Sequence, residues 1–234
     1  MHFTIKEGKT HEGIKNCFVK FQDRTYLEFI EPIDSTQTIG KYYADFLKTR
    51  QGGTSLAISV TNAELVKKML NEKNIQYNVD RNRVWQTIEP KDFELFCIDY
   101  SDKNWKESVT NTTHSNTANS LNTAYIVTDN FEAEIKKYET LGFNEAGIGI
   151  YFETPYKHFK IGHTNLYILD GTKSNKINQL LNNENLQGIC GFEIKVSSLK
   201  AFNSLTNQKL NIKYESNRTT IYFKEYNLIL TFIE

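Results

Sequence analysis

The feature that most constrains this chain is an internal repeat. Three segments of roughly fifty residues share one order of elements, a strand, a short helix and three strands; they are 54–100, 122–170 and 188–234. Alternating apolar and aromatic side chains indicate the strands. The segment before residue 54 supplies only the last three strands of such a unit. Since one unit cannot cover both faces of its sheet, the repeat predicts an α+β fold of paired βαβββ modules, the first without its opening strand and helix.

The modules are expected to form two pairs that are joined by a linker. Residues 1–100 make up the first pair, with its incomplete first module, and residues 121–234 make up the second pair. Residues 101–120 lie between them and are rich in Asn, Ser and Thr. A polar stretch of this kind between periodic segments is typical of a linker.

Apolar residues at helical spacing predict two helices with recognisable ends. One helix follows Asn62, and the other follows Asp129 and Asn130, so Asn62 and either Asp129 or Asn130 are expected to be N-caps. Gly142 is expected to end the second of these helices. In the last module, Ser197 is expected to cap a further helix.

Composition excludes several classes of protein. The chain is 39% hydrophobic, which is enough for a core, and its 28 basic and 28 acidic residues are interspersed, so no nucleic-acid partner is expected. The apolar runs are too short to span a bilayer, and the N-terminus lacks the apolar region of a signal peptide. The odd number of cysteines, Cys17, Cys97 and Cys190, argues against a disulfide framework. We therefore expect a cytoplasmic protein with no membrane partner, in which these thiols act as small hydrophobic residues.

Several short stretches carry a resemblance to a known family. They are Gly8-Lys-Thr-His11-Glu-Gly13-Ile-Lys-Asn16, Tyr26-Leu27-Glu28-Phe29-Ile30, Leu95-Phe96-Cys97-Ile98-Asp99-Tyr100 and His114-Ser-Asn116-Thr-Ala118. Together with the βαβββ repeat, they resemble the glyoxalase-like domain family of the vicinal oxygen chelate superfamily, which includes glyoxalase I and extradiol dioxygenases. The resemblance implies that each module pair forms a cupped mixed sheet.

The chain departs from this family at its N-terminus. The family usually has a strand and a helix before the segment that contains Gly8 and His11, and this sequence starts too late to include them. Either the protein is a shortened relative, or the numbering starts inside a longer chain. A strand edge would then be exposed, and we expect it to be covered, for example in a homodimer.

The resemblance also raises the question of a metal. Metal-dependent members of the superfamily hold one divalent ion with His or Glu residues from the first and last strands of paired modules. Here only Glu28 occupies such a position with a suitable side chain in the first module, and no complete ligand set is present. The candidates at the other positions are Ser55 or Leu56, Cys97 or Asp99, Asn122 or Thr123, Tyr167, Glu193 and Thr231. The cofactor is therefore unknown; a divalent metal held by Glu28 and His11 is one hypothesis.

His11, Asn16 and Glu28 form the best candidate site. Asn16 and Glu28 are expected on neighbouring strands, with His11 in the loop before them, so the three side chains can converge. His11 could act as acid, base or ligand, Glu28 as base or ligand, and Asn16 as a hydrogen-bond donor to substrate. The alternative is structural: Glu28 is the polar member of an alternating strand, and His11 caps a loop. The resemblance places His114 in the family's linker motif, where it could contact substrate or hold the linker.

Two functions follow from this site. In one, the chain is an enzyme, a lyase, isomerase or dioxygenase, that acts on a small oxygenated molecule with a divalent metal. In the other, it is a metal-free protein that binds and sequesters a small molecule in an aromatic cup, as resistance-type members of the superfamily do. A further alternative concerns the second pair alone, which could serve mainly as a packing partner.

Overall fold

The computed structural model describes residues 1–104, 106–206 and 210–234 and has the expected α+β architecture. Its strands form three sheets of three, four and eight strands. Within the described residues, no helix is both long and apolar enough to cross a membrane.

The first module is an antiparallel meander followed by a helix that the sequence pattern did not reveal. The elements are β1 (Lys6–His11), β2 (Ile14–Lys20), β3 (Tyr26–Pro32) and α1 (Thr38–Thr49). A tight turn at Glu12 and Gly13 joins β1 to β2, and both residues have positive φ, which matches the right-handed twist of a hairpin. Gly40 lets α1 approach this turn, because a Cβ there would collide with the carbonyl oxygen atoms of Asp34 and Gly13.

The second module is a complete βαβββ unit. Its elements are β4 (Leu56–Ser59), α2 (Ala63–Glu72), β5 (Tyr77–Arg81), β6 (Trp85–Pro90) and β7 (Leu95–Tyr100), and the sheet order is β4-β7-β6-β5. Asn62 caps α2 as predicted, since its side chain accepts hydrogen bonds from the backbone N–H groups of Glu64 and Leu65.

The third and fourth modules form one sheet of eight strands. Their elements are α3 (Val109–Thr112), β8 (Ala118–Thr128), α4 (Phe131–Thr140), β9 (Asn144–Tyr151), β10 (Thr154–Ile161), β11 (Thr164–Asp170), α5 (Asn175–Leu181), β12 (Gly188–Val196), α6 (Leu199–Leu205), β13 (Asn211–Tyr214), β14 (Arg218–Phe223) and β15 (Leu228–Ile233). The sheet order is β13-β14-β15-β12-β8-β11-β10-β9, so the opening strands β8 and β12 meet in its middle and pair antiparallel.

Three local features refine the sequence predictions for the second pair. Strand β8 begins at Ala118, inside the stretch expected to be linker. Helix α6 is capped by Ser198, which accepts from the backbone N–H of Ala201, so the prediction of Ser197 as the cap was wrong by one residue. Gly142 follows α4 with a φ of +80°, as expected for a residue that ends a helix.

The first pair is divided into two sheets, although the second pair is continuous. In the second pair, β8 and β12 bridge the modules, each lying parallel to the closing strand of its own module. The first module contributes no such opening strand in the described chain, so β3 and β4 belong to separate sheets. The expectation of one cupped sheet for the first pair is therefore corrected to two sheets, β1-β2-β3 and β4-β7-β6-β5.

The hydrophobic cores run across the predicted boundary between the pairs. Leu70 and Ile88 of the second module pack in one cluster with Tyr138 and Phe159 of the third. A second cluster joins the first module to the fourth and includes Val19, Leu27, Phe202 and Phe232. Each fully buried side chain of this size contributes about 1.5–3 kcal/mol. The two pairs are therefore held together by shared cores.

Candidate functional site

One face of the first meander is available for a site. In β2 and β3, Phe18 pairs with Glu28 and Asn16 pairs with Ile30, so these side chains lie on the same face of the sheet. Val19 and Leu27 point the other way, into the core. Glu28 is therefore directed away from the fourth module.

Asn16 is fixed by two hydrogen bonds with different partners. Its side chain is only 8% exposed. Its Oδ1 accepts from the backbone N–H of Lys9 at 3.0 Å, and its Nδ2 donates to Oε1 of Glu28 at 2.7 Å. Because the Lys9 N–H can only donate, the orientation of the amide is determined, and Asn16 must present its N–H to the carboxylate. The structure thus brings together two of the three residues in the predicted cluster.

Glu28 has a perturbed carboxyl group. Loss of hydration raises its pKa, and this outweighs the hydrogen bond from Asn16 and the positive fields of His11 and Lys20, which lower it. The side chain is nevertheless open to solvent. Its raised pKa makes this solvent-open carboxylate a stronger base than a freely solvated glutamate.

Tyrosines from three elements lie near Glu28 or near one another. The hydroxyl group of Tyr26 lies 3.4 Å from that of Tyr100 on β7, which connects the meander to the second module. Burial raises the pKa of Tyr43 on α1 to about 12, with a further contribution from Glu28. Burial, Tyr100 and Glu28 also raise the pKa of Tyr26. Both phenols are therefore neutral hydrogen-bond donors at neutral pH. We call the surface that contains Asn16, Glu28, Tyr26, Tyr43 and Tyr100 the first cup.

His11 lies at the rim of the first cup. It is the last residue of β1, it pairs with Ile14 across the hairpin, and its side chain is exposed. Its positive field reaches Glu28, but no hydrogen bond joins the two side chains among the described residues. The prediction that His11 lies in a loop was wrong, because His11 ends β1 and the hairpin turn starts one residue later, at Glu12.

His114 lies outside the first cup, and both of its ring nitrogen atoms contact backbone groups. It is 5% exposed. Its Nδ1 accepts from the N–H of Thr4 at 3.0 Å, so the ring must carry its proton on Nε2, which lies 2.9 Å from the carbonyl oxygen of Lys20. The rings of Phe3 and Phe21 meet it edge-on. Burial lowers its pKa and keeps it neutral. These contacts favour the structural alternative, in which His114 holds the linker against the N-terminal segment.

Residues 2–142, more than half of the 234 residues, match the model of the glyoxalase-like domain family. The chain belongs to the glyoxalase-like domain family. The membership that the motifs indicated is thereby confirmed. No curated protein matches the chain.

Solved structures extend the similarity of this glyoxalase-like protein. A hypothetical protein from Staphylococcus aureus has a TM-score of 0.70 at 12% identity, over 98% of this chain and 89% of that one, which shows a shared fold. The methylmalonyl-CoA epimerase of Mycobacterium tuberculosis matches with a TM-score of 0.42 at 16% identity, over 53% of this chain and 92% of its own. The S115T variant of the Streptomyces coelicolor epimerase, in complex with 2-nitronate-propionyl-CoA, matches with a TM-score of 0.40 at 14% identity, over 49% and 92%.

The side chains of this glyoxalase-like protein do not fit a metal. Among the described residues, no three His, Cys, Asp or Glu side chains are grouped to hold an ion. Cys97 packs against a hydrophobic core, and Asp99 accepts from the N–H of Ala63 and pairs with Lys103. In the second pair, the positions where ligands would be expected hold one carboxylate, Glu193. In the first cup, the carboxylate of Glu28 and the amide N–H of Asn16, which donates to it, do not form a divalent-metal site.

Three tyrosines of the first cup were not among the predicted site residues. Tyr26 and Tyr100 stood inside the quoted motifs, and the period of two in β3 could have placed Tyr26 on the same face as Glu28. Tyr100 is on a different sheet, so its approach to Tyr26 was not open to the same argument. Tyr43 was missed because α1, the helix that carries it, was not predicted. Glu89, whose charge also raises the pKa of Tyr43, is on the same face of its sheet as Tyr100.

Proposed function

We propose that the first cup binds a small oxygenated molecule without a metal ion and that Glu28 is its main polar anchor. The observation that carries this proposal is the Asn16–Glu28 pair. A carboxylate that is held in one orientation, open to solvent and raised in pKa stands among tyrosine side chains. The lack of a three-residue ligand group among the described residues favours the metal-free alternative over the metalloenzyme.

The groups of the first cup define the ligand's chemistry. Glu28 uses one oxygen atom to accept from Asn16, and a carboxylate has further lone pairs for a hydroxyl group of the ligand. Tyr26 and Tyr43 are neutral phenols that can donate to a carbonyl or ether oxygen. A molecule with a hydroxyl group next to another oxygen would satisfy both kinds of partner, and Phe18 offers it an apolar contact.

A second candidate is a metal-independent proton-transfer enzyme at the same site. The raised pKa of Glu28 favours it, because a general base is most effective when its pKa approaches the working pH. In this reaction Glu28 takes a proton from the carbon next to a ligand carbonyl and later returns it. His11 at the rim is placed to act as the acid partner. These roles for Glu28 and His11, a homodimer and a cytoplasmic location all stay predictions.

A ligand screen tests the binding proposal. Melting temperatures are measured for the wild type, Glu28→Gln and the control Glu31→Gln with a panel of catechols, 2-hydroxy acids and 2-hydroxy ketones. Glu31 is on the same strand as Glu28 but on the opposite face. We expect ligands that stabilise the wild type and the control but not Glu28→Gln. A panel ligand that stabilises all three proteins equally would place binding outside the first cup.

Proton exchange separates the binding protein from the enzyme. A ligand found in the screen is incubated with protein in deuterium oxide and followed by NMR. Loss of the signal of one carbon-bound proton with the wild type, but not with Glu28→Gln, would indicate the enzyme. Tight binding with no exchange would support the sequestering protein.

A further inference from the structure

The concave face of the second sheet is unusually polar and aromatic. Tyr125 pairs with Tyr167, and Glu193 pairs with both Thr123 and Thr231, so these side chains share one face across β11, β8, β12 and β15. The opposite face of β8 and β11 is apolar and packs in the core, as Ala124, Ile126, Leu166 and Ile168 show. The polar character is therefore a property of one face only.

This face is curled into a cup that is closed at one end. The hydroxyl group of Tyr151 on β9 lies 3.0 Å from Oγ1 of Thr231 on β15, although four strands separate β9 from β15 in the sheet. The ring of Tyr151 stacks on that of Tyr125 at 4.3 Å and is only 7% exposed. Helix α5 covers the same end through Leu181. We call the open remainder, around Tyr167 and Glu193, the second cup.

Glu193 is the acidic centre of the second cup. Its Oε1 accepts from Nδ2 of Asn122 at 2.6 Å and from Oγ1 of Thr123 at 3.1 Å. Its Oε2 accepts from the hydroxyl group of Tyr125 at 3.3 Å. Since each carboxylate oxygen can accept about two hydrogen bonds, Oε2 keeps capacity for a further donor. The side chain is partly exposed, so such a donor can come from solvent or from a ligand.

Aromatic faces stand beside this carboxylate. The rings of Tyr156 and Tyr167 are stacked at 4.1 Å, and Tyr125 lies 5.6 Å from Tyr167. Both stacked tyrosines are half-buried, which leaves part of each ring accessible. Burial raises the pKa of Tyr167, so its ring stays neutral. Electron-rich rings next to a carboxylate are the combination that attracts an organic cation.

We propose that the second cup binds a small aromatic amine in its protonated form. The ammonium group donates to Oε2 of Glu193, and the aromatic body lies on the exposed side of the Tyr156–Tyr167 stack. Arg218 is on the same face of β14 as Thr220, which pairs with Thr231, and its positive charge acts on Tyr167. A ligand with a single amine is therefore favoured over a dication. This site does not depend on the first cup, and it gives the second pair a role beyond packing.

Calorimetric titration with tyramine and with 4-ethylphenol tests the proposal. The two probes share a phenol ring and differ in the charged amine. We expect tyramine to bind the wild type at least about tenfold more tightly than 4-ethylphenol, as expected for one cation held by rings and a carboxylate. Equal affinities, or no binding of tyramine up to millimolar concentration, would overturn the proposal.

Three variants locate the site. Glu193→Gln and Tyr167→Leu are expected to lose the preference for tyramine, whereas Glu28→Gln in the first cup is expected to keep it. If Glu193→Gln does not fold, as judged by circular dichroism, then Tyr167→Leu decides the matter, because its ring is half-buried. A preference that survives in Tyr167→Leu, or that disappears in Glu28→Gln, would contradict the proposal. Loss of the preference in Glu28→Gln would still be compatible with a binding site in the first cup.

Discussion

Replacing Asn16 by leucine tests the geometry of the first cup most sharply. Leucine keeps the approximate size of the side chain but removes the acceptor for Lys9 N–H and the donor to Glu28. A backbone N–H that is removed from water and left without a partner costs about 1–3 kcal/mol, and the bond from Lys9 is part-buried. The lost bond to the solvent-open carboxylate adds little, so we expect the free energy of unfolding to fall by about 2 kcal/mol. Urea denaturation at pH 8 measures this.

Two further variants make this prediction refutable. Asn78→Leu replaces an exposed asparagine on β5 and should change stability by less than about 0.5 kcal/mol. Asn16→Asp keeps the acceptor for Lys9 but places a second carboxylate beside Glu28, so the two must share a proton or repel each other. It should be destabilised at pH 8 and recover as the pH falls towards about 4. A stable Asn16→Leu, or an Asn16→Asp variant without this pH dependence, would refute the assigned contacts.

Three other outcomes follow from the structure. Glu28→Gln should stabilise the protein at pH 7, because the raised pKa of Glu28 means that its ionisation costs stability above the folded pKa. The gain should vanish below about pH 4.5, where the carboxyl group is protonated in both the folded and the unfolded state. Melting curves between pH 4 and pH 7 measure this gain. Gly8→Ala should resemble Asn16→Leu in urea denaturation, since a Cβ at Gly8 would collide with Oδ1 of Asn16. Burial raises the pKa of Cys97 to about 11 and that of Cys190 to about 12, so both should react with a thiol reagent at pH 8 far more slowly in folded than in urea-unfolded protein; equal rates would argue against their burial.

The first cup was partly predictable because its two central residues lie on strands. The period of two and the short turn after β2 suffice to bring Asn16 and Glu28 to one face of a meander. The repeat likewise predicted the order of elements in the three complete modules. Both predictions depend on local sequence patterns. These patterns are informative because each strand buries one face, which imposes an alternation of apolar and polar side chains.

Other features depend on contacts that no local pattern records. Helix α1 begins without a side-chain cap at Gln37 and contains Gly40, so the signal for its start is weak, and Tyr43 was missed with it. His114 is oriented by backbone groups that are 110 and 94 residues away in the sequence. The choice between Ser197 and Ser198 as cap rests on backbone geometry alone, because the two residues are identical neighbours.

Elemental analysis of the protein purified without a chelator tests the metal-free first cup most directly. Wild-type protein and Glu28→Ala are measured side by side after their fold has been checked by circular dichroism. We expect neither protein to carry a stoichiometric divalent metal, because Glu28 is paired with the amide donor of Asn16 and no three His, Cys, Asp or Glu side chains are grouped among the described residues. About one equivalent of metal in the wild type that is lost in Glu28→Ala would contradict it.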